Sequence, residues 1–172
     1  MILKLGLSGF EEYQKGLFRR GSALHSNIEN HLLGRSYEST SEILGYMHSV
    51  EPQLQNFHDV VACETKLNHD VLRYTGVIDC VAHHRKTGLY IIDWKTSERK
   101  KTTLSQVYDN PIQVAAYIGM WNNQNPDNKS LAVDELAIVS LSVKQDRNHQ
   151  LFSAHNYVVK YIGYLKTFHL VK

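Results

Sequence analysis

Apolar and polar positions along the chain follow a helical period at first and a strand period later. Over residues 8–33, Phe10, Tyr13, Leu17, Leu24, Ile28 and Leu32 recur at spacings of three, four or seven. That pattern predicts an amphipathic helix, broken at Gly21 and stopped at Gly34. A second helix is predicted over residues 41–57, with Ser41 as its cap and Ile43, Tyr46, Met47 and Val50 on one side. Pro52 argues for a break or kink inside it. From residue 60 the texture changes: residues 60–67, 72–83 and 89–96 are apolar and β-branched enough for strands. The last two are joined by a turn at Lys86-Thr87-Gly88. Asn110-Pro111 opens another helix, capped by Asp109 or Asn110, that runs to about residue 125. A polar loop over 122–130 leads to a strand at 136–143. After a turn at 146–148, a last helix is predicted over 154–168, carrying Val158, Tyr161, Leu165 and Phe168.

A chain of 172 residues suits one domain. Within it we expect a helical part at 1–58, a sheet with its helix at 59–145 and a C-terminal helix at 154–170. With 42% hydrophobic and 21% charged residues the composition excludes a disordered chain. No apolar run approaches the ~20 residues of a membrane helix, so no membrane is expected. The net charge of +2 neither argues for nucleic acid nor excludes it. Cys63 and Cys80 sit in strand-like apolar segments without CxxC partners and read as buried reduced thiols. The ten histidines show no zinc-finger spacing. The N-terminus shows neither a secretory nor a transit signal and reads as beginning directly on folded sequence.

The chemistry gathers on two neighbouring strands. Asp79 lies in Gly76-Val77-Ile78-Asp79, and Asp93 and Lys95 lie in Ile91-Ile92-Asp93-Trp94-Lys95. Strand alternation puts Asp93 and Lys95 on one face and Trp94 on the other. A hairpin brings Asp79 beside Asp93, and two crowded carboxylates favour a divalent cation such as Mg²⁺ or Mn²⁺. The backbone carbonyl of Trp94 is a further candidate ligand, and Lys95 could orient a water or meet charge building on phosphorus. A bare D-x-K occurs about 0.5 times by chance in a chain of 172 residues, so alone it reads as a solvated ion pair. Its apolar flanks, and the G-x-x-D strand at hairpin distance, favour a metal site.

These motifs, with Asp93-Trp94-Lys95-Thr96 and the Q-x-x-x-Y of Gln113 and Tyr117, resemble the RecB-like branch of the PD-(D/E)xK nucleases. The resemblance implies a restriction-endonuclease-like α/β core, a central mixed sheet flanked by helices. It also implies Mg²⁺ or Mn²⁺ as cofactor, a first-helix histidine at the metal, matched by His25, and an acidic position matched by Glu64. Arg73-Tyr74-Thr75-Gly76 and Asp109-Asn110-Pro111 extend the likeness to those exonucleases of the class that act on mitochondrial DNA. That implies a metal-dependent, monomeric enzyme acting on single-stranded DNA or flaps with free ends, in mitochondria. The alternatives are a nuclease-fold module that binds DNA without cutting it and an endonuclease of the same fold.

Each supporting residue also has a plainer reading. His25 shares a helix face with Ile28 and Leu32 and could be a satisfied core histidine. Gln113 and Tyr117, four apart, could be ordinary helix packing, or could sit where the helix N-terminus favours an anion. Glu64 could be a ligand, a partner for a cation or a structural acid. Arg99, Lys100 and Lys101 follow the Asp93 strand and are either a solvated loop or a guide for phosphates. Arg19 and Arg20, with Lys15, form a second basic group, and Tyr108 and Trp121 are aromatics available for stacking bases.

Overall fold

Strand β3 (Gly88–Ser97) is apolar on both faces, as a strand covered by helices on each side must be. Tyr90, Ile92 and Trp94 point one way, into a core with Leu24, Ile28, Met47 and Val50. Leu89 and Ile91 point the other way, into a core with Val114, Tyr117, Ile118 and Trp121. The computed structural model describes residues 2–86, 88–97, 106, 110–128, 135–145 and 150–160, with backbone alone at 2–5, 110, 135–145 and 150–160.

The elements run α1 (Ile2–Leu32), α2 (Leu44–Leu54), β1 (Phe57–His69), β2 (Tyr74–His84), β3, α3 (Asn110–Gln124), β4 (Glu135–Gln145) and β5 (Gln150–Lys160). They build one five-stranded mixed sheet in the order β1-β2-β3-β4-β5. Neighbours are antiparallel except β3 and β4, which run parallel from Tyr90↔Glu135 to Ser97↔Ser142. A parallel pair needs a crossover, and α3 lies on it. Helices α1 and α2 cover one face of the sheet and α3 the other. None of the described helices is long and apolar enough to cross a membrane.

Helix α1 ends as its sequence predicts. Gly34 takes φ +66°, Arg35 N–H donates to Asn30 O at 2.8 Å and Gly34 N–H to His31 O at 3.1 Å. Those bonds satisfy carbonyls that the helix end leaves free. The buried Asn27 then ties the following loop back to the helix, its amide donating to Glu38 O and Ser39 Oγ. Gly21, in contrast, does not break α1; the helix runs through it, kinked instead at Gly6.

Other expectations need correction. Ser41 is not the cap of α2: Ile43 occupies that position without a side-chain bond, and Thr40 O accepts the Ile43 and Leu44 N–H groups. Pro52 lies inside α2, which ends two residues later, so Phe57 begins β1. The C-terminal helix expected from residue 154 is overturned up to residue 160. There the chain is β5, paired from Gln145↔Gln150 to Glu135↔Lys160. Phe152, Tyr157, Val158 and Val159 are stiff, strand-favouring residues, and pairing along β4 outweighs the helical spacing. Residues 161–168 and the turn at 146–148 lie outside the described residues.

Gly76 has a packing reason. A Cβ there would lie 2.7 Å from Tyr117 Cε1 and 3.0 Å from Met120 Cε, so only glycine lets α3 settle this closely on β2. Gly76→Ala should therefore destabilise the protein by about 1–3 kcal/mol. Gly21→Ala, whose Cβ meets nothing within 4 Å, should stabilise it by about 0.5–1 kcal/mol. Urea unfolding of the two variants checks the opposite signs.

Candidate active site

The β2–β3 ladder ends at Cys80↔Ile92. One step further on, Asp79 and Asp93 would be partners. Instead, the Asp79 carboxylate takes the place of a backbone acceptor: Trp94 N–H donates to Asp79 Oδ2 at 2.7 Å. The other edge of β2 is disturbed at the same level. Pairing skips from Cys63↔Cys80 to Thr65↔Ile78, and between them Glu64 adopts φ 44°. A non-glycine residue held there costs on the order of 1–3 kcal/mol, which the surrounding sheet must offset. Cys63 and Cys80 face each other beside this opening as free thiols, in keeping with the reduced reading. Hydrogen bonding between them, with burial, pushes the Cys80 thiol well up, and the same bond lowers that of Cys63.

His25 reaches the opening from α1. Its Nε2 lies 2.9 Å from Trp94 O. A carbonyl can only accept, so Nε2 carries a proton and donates. Nδ1 then faces Glu64 Oε1 at 3.5 Å and Asp79 Oδ2 at 3.6 Å. One ligand atom from each of His25, Glu64 and Asp79 lies within 4.8 Å of the others, a group that could hold a metal ion. His25 is 26% exposed and lies at the edge of the core, while its neighbour Leu24 is fully buried in it.

Asp93 stands across the opening. Its side chain is 1% exposed, with Lys95 Nζ 3.0 Å from Oδ1 and 2.9 Å from Oδ2. The ammonium bonds Oδ1; its contact with Oδ2 is close but not aligned as a hydrogen bond, and Oδ2 is a buried acceptor without a donor. Burial, then the Asp79 charge, pushes the Asp93 carboxyl up to about 6, against the pull of Lys95. Burial also raises Asp79, against the pull of the His25 charge and the Trp94 N–H bond. Trp94, as alternation requires, turns its ring into the opposite core.

On the α3 side, Gln113 Nε2 donates to the Tyr117 hydroxyl at 2.5 Å. Burial raises the Tyr117 pKa; the Gln113 bond lowers it, and the Asp93 charge raises it. His25, Glu64, Asp79 and Trp94 O, with Asp93 and Lys95 on the same strand as Trp94, are therefore brought together by α1, β1, β2 and β3, while Gln113 and Tyr117 are bonded to each other on α3.

The expected DNA contacts fare differently. Arg19 is held by Glu42 at 2.9 Å on the surface. Arg20 is half-buried on α1. Arg99, Lys100, Lys101 and Tyr108 lie outside the described residues. Trp121 is 6% exposed in the α3 core and cannot stack a base. A cleft of about 490 Å³ opens instead between α1 and the end of β3. Gln14, Leu17, Phe18, Gly21, Ser22 and His25 line one wall, and Trp94, Lys95 and Thr96 the other. The α1 spacing of three and four (14, 17, 18, 21, 22, 25) is the signal that marks this face. Sequence reasoning named Leu17, Gly21 and His25 on this face but not the cleft they share with Phe18.

Comparison with known proteins agrees with this geometry. The sequence profile of the PD-(D/E)XK nuclease superfamily matches residues 7–162. The chain belongs to the PD-(D/E)XK nuclease superfamily. Mitochondrial genome maintenance exonuclease 1 of Xenopus tropicalis is 41% identical over 128 residues, 73% of this chain and 37% of that protein. Its counterparts from Mus musculus and Homo sapiens are each 39% identical, over 126 and 127 residues, 72% of this chain and 37% of theirs. The chain thus spans little more than a third of the length of these curated relatives.

Membership in the PD-(D/E)XK superfamily gives the donor set a purpose. Two carboxylates and an imidazole turned toward one point, beside a buried carboxylate oxygen without a donor, form a donor set that a divalent cation satisfies. Oxygen donors with one imidazole suit Mg²⁺ or Mn²⁺. The residues present therefore fit the metal that the superfamily implies.

The raised Asp93 pKa has a consequence for the metal-free protein. The folded state holds that proton more tightly than the unfolded chain, so its contribution to stability is full below about pH 4 and is lost as pH rises through about 6. The loss is on the order of 3 kcal/mol, from a shift of 3.8 to about 6 at ~1.4 kcal/mol per unit. Asp93→Asn should remove it. Urea unfolding in EDTA should show the two proteins diverging between pH 4 and 6, with the variant the more stable at pH 7; parallel curves would contradict the assignment.

Proposed function

We propose that this chain is a metal-dependent exonuclease that hydrolyses single-stranded DNA from free ends, and that it serves the maintenance of mitochondrial DNA. The observation that carries the proposal is the convergence of His25, Glu64 and Asp79 at the point where β2 and β3 part, with Asp93 and Lys95 directly across. The names of the relatives, mitochondrial genome maintenance exonucleases, support the exonuclease and mitochondrial readings.

Asp79, Glu64, His25 Nδ1 and Asp93 would hold the ion, and the Trp94 carbonyl, with a lone pair left beside its His25 bond, is a further donor. A bound Mg²⁺ or Mn²⁺ polarises a phosphate oxygen and lowers the pKa of a water. The protein supplies the rest. The Nε2–H bond to Trp94 O fixes the His25 ring, so its ligand atom stays aimed at the carboxylates. The Asp79 bond to Trp94 N–H fixes the second ligand against the same peptide. Lys95 carries positive charge to where negative charge builds on the phosphorus oxygens, or orients the attacking water. Gln113 and Tyr117 close the far side with hydrogen-bonding groups.

One gel tests the activity. Linear single-stranded DNA, a circle of the same sequence and a duplex are each incubated with Mg²⁺, Mn²⁺ or EDTA. We expect the linear strand alone to be degraded, with either metal and not with EDTA. Efficient cutting of the circle would mean an endonuclease, and binding of the strand without cutting would mean an inactive module. Asp93→Ala should abolish cleavage.

His25 and Lys95 separate binding from turnover. His25→Ala should weaken Mn²⁺ binding by titration at least tenfold with little change in apo Tm, as loss of a ligand requires. Lys95→Ala should leave Mn²⁺ and strand binding in place and lower kcat by roughly 10²-fold. A pure KM effect would make Lys95 a phosphate anchor instead.

A further inference from the structure

We propose that Phe18 is a stacking platform for a nucleobase, positioning the DNA strand on the α1 wall a few nucleotides from the reacting phosphate. The inference rests on the reading that this cleft receives a single strand. Single exposed apolar side chains are common and carry no meaning alone. Phe18 differs by its place. At 74% exposed it offers almost its whole ring to solvent, yet it lines the same cleft as His25 and Lys95.

Its neighbours suit a nucleotide. Gln14 and Ser22 lie one turn before and one turn after Phe18 on the cleft face, so a flat apolar ring is bracketed by two hydrogen-bonding side chains. Gly21, beside it, carries no side chain to fill the cleft. The described lining contains no carboxylate to repel phosphates. Seven residues separate Phe18 from His25, about 10 Å along a helix axis. Stacked nucleotides rise about 3.4 Å each per strand, so a strand with one phosphate at His25 passes Phe18 with a base about three nucleotides away. Stacking accepts any base, as a nuclease without sequence preference needs. Of the aromatics named from the sequence, Trp121 is buried in the α3 core and Tyr108 lies outside the described residues.

The test uses the whole chain and linear single strands carrying one abasic site at successive positions. In the wild type, one abasic position should raise KM roughly tenfold and leave kcat within twofold. Phe18→Ala should raise KM by a similar factor on the intact strand and lose all sensitivity to that position. Phe18→Trp should restore both. In EDTA, 2-aminopurine placed at that position should be quenched on binding to the wild type and not to Phe18→Ala. An abasic effect that persists in Phe18→Ala overturns the inference, as does unchanged KM. A fall of several degrees in the Tm of Phe18→Ala also overturns it, because the ring would then be packing against protein. If the wild type neither binds nor cuts any single strand, the functional reading itself fails and the platform with it; if it cuts normally while Phe18→Ala is unaltered, only the platform fails.

Discussion

A carboxylate standing in for a backbone carbonyl holds the site open. Where β2 and β3 should continue as a ladder, Asp79 Oδ2 accepts the Trp94 N–H at 2.7 Å. Without that bond, a buried donor on a central strand would be orphaned, at a cost of about 1–3 kcal/mol. The bond therefore lets the strands part without penalty, and the gap is where the ligand atoms meet. His25 takes the carbonyl of the same residue, so both polar ends of one residue's backbone are committed to candidate ligands. The distances between those ligands follow from one rigid unit, not from independently placed side chains.

The electrostatics follow from the same opening. Asp79 and Asp93 are both desolvated by the sheet and its two cores, and each raises the other's energy when ionised. One cation, Lys95, is placed to relieve Asp93 and satisfies only part of it. The structure tolerates this because the cores on both faces of β3 are closely packed, with Trp94, Ile91 and Ile92 almost inaccessible to water. Stability supplied by apolar burial thus offsets strain and charge repulsion concentrated in a few residues, as is usual at functional sites.

Much of this was legible in the residues, and the reasons differ from element to element. Strict alternation in Ile91-Ile92-Asp93-Trp94-Lys95 sets which side chains share a face, because a strand has no other choice. The Gly34 stop is local chemistry, and local chemistry reads well. The fate of residues 154–160 was not local: their strand state depends on pairing with β4. Glu64 could be matched to a position but not to a role, since its place at the site depends on a left-handed backbone in the middle of β1. Trp121 illustrates the limit of reading aromatics from sequence, as its helix face is set by α3 packing on β2 and β3.

Leu24 precedes His25 in the chain and is fully buried in the core beneath the sheet. The imidazole accordingly takes its position from how an aliphatic side chain seats itself, with Ile28 a turn further on doing the same. The geometry of the candidate site is in this sense inherited from hydrocarbon packing. A methylene lost at either position would shift the helix by fractions of an ångström and move a ligand atom with it. Such a lesion, remote from any polar group, would present as a defect of chemistry in a protein whose charged residues are all intact.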